Sequence, residues 1–116
     1  MPARAIPLDK TRIDLKPANR QKAAVMLNQL LADCSDLSMR TKHAHWNVKG
    51  PHFMALHSYF DELHAAIGGH VDDMAERIAA LGGTVHGRLS DAAKATRLKE
   101  FPDDAEQGMD VVRALA

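Results

Sequence analysis

The sequence predicts an all-α chain on three observations. Ala24, Leu27, Leu31, Cys34, Leu37, Thr41, His45 and Val48 recur every three or four residues, the spacing that gathers side chains on one face of a helix. A second stripe, Leu56, Phe60, Leu63, Ile67, Val71, Met74, Ile78 and Leu81, keeps the same period for seven turns without a phase slip. Each stripe runs into residues that stop helices, Gly50-Pro51 after the first and Gly82-Gly83 after the second.

Taken in order, residues 1–17 contain Pro2, Pro7 and Pro17 and no sustained apolar period, so they read as an extended or mobile N-terminal tail. Residues 18–116 form a single domain. Its first long helix is expected from about Ala18 to Val48, and its second carries the stripe that ends at Leu81. A polar connector with Gly87 follows, with a short helix expected near Asp91 to Ala95. Phe101-Pro102-Asp103 is expected to open a further helix, because proline and aspartate are typical first-turn residues. Met109, Val112 and Leu115 suggest that this helix is still running at Ala116, so the domain is expected to be incomplete at its C-terminus.

The 116 residues allow one small domain, for which partner chains are a natural source of stability. Fifteen Lys and Arg balance fifteen Asp and Glu, so the overall charge does not point to nucleic acid. The first part of the chain is nevertheless biased toward Arg4, Lys10, Arg12, Lys16, Arg20 and Lys22, interrupted by Asp9 and Asp14. A single cysteine, Cys34, excludes an intramolecular disulfide and fits a reducing compartment. No apolar run is long enough to span a bilayer and residues 1–16 lack a signal-peptide core, so a cytoplasmic protein with no membrane partner is expected.

Four potential metal ligands sit on the second helix in two i, i+4 pairs, His57 with Asp61 and Asp72 with Glu76. The pair midpoints are about 22 Å apart along a helix, too far for one ion in one chain. They are, however, placed symmetrically about a point between Ala66 and Ile67. A two-fold axis there sets His57 opposite Glu76 and Asp61 opposite Asp72 of a second copy, giving two equivalent sites per dimer. Ala65, Gly68, Ala75 and Ala79 interleave with these ligands and leave room for a close helix contact. Mid-helix glycine costs about 1 kcal/mol relative to alanine, a cost easier to understand at a packed interface than in open solvent. Histidine and carboxylate without thiolate suit iron, manganese or zinc, with the oxygen-rich set favouring iron. Set against this, acidic i, i+4 pairs are common on solvated helix faces, and His45 alone in its apolar stripe reads as a hydrogen-bonded core histidine.

The run from Thr41 to Gly50 (TKHAHWNVKG), followed by Phe53, His57, Asp61, the run from Asp72 to Arg77 (DDMAER) and Leu81-Gly82-Gly83, closely resembles the Dps mini-ferritins. The resemblance implies a ferritin-like four-helix bundle assembled as a shell of twelve, with two complete helices beyond the point where this chain stops. It implies a ferroxidase centre of His45, His57 and Asp61 from one subunit and Asp72 and Glu76 from its two-fold mate. It further implies that ferrous iron is oxidised by hydrogen peroxide and stored, protecting DNA, with Trp46 placed to intercept stray oxidising equivalents or to serve as an interface aromatic. DNA contact through the N-terminal tail is only weakly encoded. A DNA-compacting shell that does not use the ligands, and an inactive fragment, are the alternative readings.

Overall fold

The computed structural model describes residues 7–116, so Arg4 and the first part of the expected tail lie outside the described residues. Four α-helices follow one another, α1 (Pro17–Asn47), α2 (Phe53–Ala80), α3 (Leu89–Ala95) and α4 (Gly108–Leu115). The two long helices match the two apolar stripes, and α3 matches the short helix expected in the connector. Ala24 clusters with Ile78, Ser38 meets His64, Lys42 meets Asp61 and His45 meets His57, so α1 and α2 run antiparallel.

α1 starts with Pro17 in its first turn, where the missing N–H would have had no helical partner. It ends as Val48 N–H bonds to the Ala44 carbonyl and the chain reverses through Gly50, whose φ of +108° lies in the left-handed region. α2 ends in a complete Schellman motif. Gly82 N–H donates to the Ala79 carbonyl, Gly83 N–H donates to the Ile78 carbonyl over 3.0 Å, and Gly82 takes a φ of +87°.

The facing stripes bury two apolar clusters. Ala24, Leu31 and Ile78 form one at the far end of the hairpin, flanked by Val71, Met74 and Val85. Ala44, Val48, Phe60, Ala105 and Val111 form the other beside the α1–α2 turn. The layer between them is polar and closed. Thr41, fully buried, donates its hydroxyl to the Ser38 carbonyl, and His64 Nδ1 lies 2.8 Å from that same carbonyl oxygen.

One feature of the connectors differs from the sequence reading. The last helix begins at Gly108, not at Phe101–Asp103. Pro102 and Asp103 instead enter a turn closed by Ala105 N–H on the Pro102 carbonyl. Lys49 N–H then donates to the Glu106 carbonyl over 2.7 Å, and Gly108 N–H donates to the Lys49 carbonyl. Pairing the backbone of Lys49 past the end of α1 keeps Ala105–Gln107 extended and delays the helix. Residues 7–16, though free of helix, are anchored: Asp9 N–H bonds to the Gly82 carbonyl and the Thr11 hydroxyl to the Ala80 carbonyl.

α3 is clamped to α1 by charge. Arg97 donates its backbone N–H and its guanidinium to Asp33, the shortest contact being 2.6 Å, while the Thr96 hydroxyl donates to Asp36. Burial pushes the Asp33 carboxyl up, but the Arg97 hydrogen bonds and charge outweigh it and hold the group below its ordinary range. A depressed folded pKa means that this stabilisation is complete above the unfolded value and is lost as pH falls through the folded one. Acidification below about pH 4 is therefore expected to loosen residues 89–97 before the α1–α2 hairpin. Amide-exchange protection, corrected for intrinsic rates, should drop selectively in that segment, and Asp33→Asn should abolish the pH dependence. Uniform protection across this range would refute the clamp.

Candidate metal centre

The C-terminal turn of α1 and the N-terminal turn of α2 meet at His45 and His57. His45 Nδ1–H donates to the His57 carbonyl over 2.6 Å, and His57 Nδ1–H donates to the His45 carbonyl over 2.7 Å. The exchange has a local cause: the His45 carbonyl belongs to the last turn of α1 and has no partner of its own within the helix. The rings stack with centroids 3.7 Å apart and planes 17° from parallel, and Phe53 stacks on the outer face of His57 at 4.9 Å. A carbonyl only accepts, so both histidines carry a proton on Nδ1, and Nε2 is the nitrogen by which a neutral ring would bind an ion. Histidine ligands are commonly oriented in this way, through a hydrogen bond on the other ring nitrogen. His45 thus combines the hydrogen-bonded role expected of a histidine in an apolar stripe with a second ring nitrogen that this bond does not use.

Asp61 lies one turn after His57 and is paired across the hairpin with Lys42, whose Nζ is 2.6 Å from Oδ1. That hydrogen bond holds the Asp61 carboxyl below its ordinary range. Asp72 and Glu76 lie farther along α2, about 16 and 22 Å beyond Asp61 at the helical rise, and both are exposed. With Asp73 they form a group whose ligand atoms fall within 4.8 Å of one another, the one such group among the described residues. Within one chain, then, His45 and His57 come together, Asp61 stands one turn farther along α2 engaged by Lys42 and does not close with both histidines to within 4.8 Å, and Asp72 and Glu76 lie elsewhere. Lys42 and Asp73 were not singled out from the sequence. Lys42 is marked only by its place one turn before His45, and Asp73 only by its adjacency to Asp72.

Along α2 the residues Asp61, Ala65, Gly68, Asp72, Glu76 and Ala79 follow one another at intervals of three or four. Among the described residues nothing comes within 4 Å of where a Cβ would stand at Gly68 or Gly69. Trp46, Met54 and Tyr59, at 60%, 70% and 55% exposure, leave further apolar surface uncovered near the histidines.

Residues 24–115 match the model of the ferritin-like domain. The Dps protein from Vibrio cholerae O1, described as a member of a broad superfamily of ferritin-like diiron-carboxylate proteins, superposes with a TM-score of 0.85 at 32% identity, covering 94% of this chain and 68% of that one. This chain belongs to the Dps branch of the ferritin-like family. Mycobacterium smegmatis Dps gives a TM-score of 0.87 at 29% identity over 92% of this chain and 66% of its own. A DNA protection during starvation protein from Agrobacterium fabrum is 41% identical over 91% of this chain, and one from Brevibacillus brevis 36% over 74%. The chain spans 65% and 58% of the lengths of these two relatives. Among the described residues no helix is long and apolar enough to cross a membrane.

Proposed function

We propose that this Dps-family chain oxidises ferrous iron at sites shared between two copies, with hydrogen peroxide as the electron acceptor, and retains the ferric product in a cytoplasmic shell of twelve. The reading is carried by the reciprocal His45–His57 hydrogen bonds, which engage Nδ1 of both rings and leave Nε2 as the nitrogen each could offer to an ion, one helical turn from the Asp61 carboxylate. Neutral imidazoles with carboxylates bind Fe²⁺, and anionic oxygen ligands favour the more highly charged Fe³⁺.

The donor set is completed by a second subunit. A two-fold axis between Ala66 and Ile67 brings Asp72 and Glu76 of the mate against His45, His57 and Asp61, and the open face at Gly68 and Gly69 accepts the second α2 at close range. Two ferrous ions each give up one electron, and peroxide with two protons takes both and leaves as two waters, so no hydroxyl radical is released. Removing free Fe²⁺ and peroxide together is what protects DNA. Direct DNA contact is a minor part of the proposal: Lys10, Arg12 and Lys16 are few and broken by Asp14, so binding depends on repetition around a shell and weakens steeply with salt.

The deciding experiment is the native mass of the purified chain with and without Fe²⁺, read alongside peroxide consumption. A shell near twelve subunits that consumes about one peroxide per two Fe²⁺ is expected, because a two-electron acceptor is matched to two one-electron donors. A monomer or heterogeneous aggregate that leaves peroxide untouched would overturn the proposal.

A further inference from the structure

Four of the side-chain ion pairs, Arg40–Asp36, Lys49–Glu106, Arg88–Asp91 and Arg97–Asp33, tie groups outside the proposed donor set. Lys42–Asp61 is different. It crosses from α1 to α2 and engages one oxygen of a carboxylate that the metal reading needs. We propose that Lys42 is an internal competitor for the metal: its ammonium holds Asp61 in the ion-free state, has to be displaced when a divalent cation binds, and thereby sets the affinity of the Asp61 side of the centre. This inference rests on the assignment of His45, His57 and Asp61 as ligands.

The geometry is that of a stand-in cation. Nζ sits 2.6 Å from Oδ1, so the ammonium already compensates the charge of the carboxylate that an arriving ion would use. Like charges oppose sharing the carboxylate, since a dication bound at Asp61 would stand within a few ångströms of the ammonium. Lys42 is free to leave. Its side chain is 27% exposed and ends in a compact charge on a flexible four-carbon stem, so it reaches solvent by rotation without disturbing α1. Among the described residues the histidine half of the centre has no such cation held against it, because the hydrogen bonds of His45 and His57 run through Nδ1 to backbone carbonyls. The two sides of the centre therefore differ: the imidazole side is oriented by backbone carbonyls, and the Asp61 side is held until an ion binds strongly enough to expel the lysine. A cation that binds carboxylate weakly is kept out.

The test uses the full chain in its assembled state, with Co²⁺ alone as a probe that neither air nor peroxide-free buffer oxidises. Binding is followed by calorimetry and by visible absorption for the wild type, Lys42→Gln and Lys42→Arg. Lys42→Gln is expected to bind Co²⁺ about three- to tenfold more tightly, the scale set by losing one partly exposed ion pair and one nearby like charge. Lys42→Arg, which keeps the charge, should stay close to wild type. Equal affinity in wild type and Lys42→Gln overturns the inference while leaving the metal centre standing, and weaker binding in Lys42→Gln does the same by making Lys42 a support for Asp61. Failure of all three chains to bind Co²⁺ overturns the metal-centre reading itself, and the inference with it.

Discussion

Mixing two inactive variants of this chain is expected to restore about one quarter of wild-type iron oxidation. The first variant, Asp72→Asn with Glu76→Gln, loses the carboxylates contributed to the mate's site. The second, His57→Ala with Asp61→Asn, loses ligands on the other side. Each alone should oxidise ferrous iron no faster than buffer, because every site in either homodimer lacks half of its donors. In a heterodimer one site collects both sets of lesions and the other collects none. Random reassociation makes half of the dimers heterodimers, each with one intact site of two, hence the expected quarter. The measurement is the initial rate of peroxide-driven Fe²⁺ oxidation after the variants are dissociated together and reassembled, with each variant treated alone as the control. If the mixture stays as inactive as its components, the donors are not shared across the two-fold axis.

The substitutions suit the question because they change donor chemistry and little else. Asp72 and Glu76 are exposed in the single chain, and replacing carboxylate by amide preserves shape. Like charges one turn apart on a helix repel slightly, so neutralising them should leave the subunit no less stable. A loss of activity then reports on ligation rather than on folding.

The features legible in the sequence are those encoded by period. Every member of the α2 stripe from Leu56 to Leu81 is buried or half-buried, because a 3.6-residue repeat determines which face turns inward before any partner is known. The Gly82-Gly83 stop was legible for the same local reason, a left-handed residue being needed to close the helix. The start of α4 was not. Pro102-Asp103 suits a β-turn as well as a helical first turn, and the choice falls to the backbone of Lys49, more than fifty residues away. The Lys42–Asp61 pair was hidden for a related reason: it depends on the register between α1 and α2, which is set by the turn at Gly50. The proton positions on His45 and His57 likewise follow from carbonyls brought in from the opposite helix. His57, Asp61, Asp72 and Glu76 were singled out because their symmetry lies within one helix, whereas His45 was assigned as a ligand only through the family resemblance.

Phe60→Ala is expected to lower the unfolding free energy by about 3–5 kcal/mol, the range for truncating a buried phenylalanine. Only 2% of Phe60 is exposed, and it packs with Ala44, Val48, Ala105 and Val111 where α1, α2, the 101–107 segment and α4 converge. Small residues at Ala44 and Ala105 cannot expand to fill the space, so a cavity should persist. Against a typical domain stability of about 5–15 kcal/mol, the loss is severe. It should also reach the metal centre, because Ala44 precedes His45 in α1 while Phe60 stands between His57 and Asp61 in α2. Loosening the packing of the ring on Ala44 is therefore expected to widen the spacing over which each histidine reaches the other's carbonyl. Urea unfolding should therefore show a lowered midpoint, and Co²⁺ binding by the fraction that stays folded should weaken. If the midpoint falls while metal affinity is unchanged, the reciprocal hydrogen bonds orient the histidines without support from this cluster. A midpoint within error of wild type would refute the packing itself.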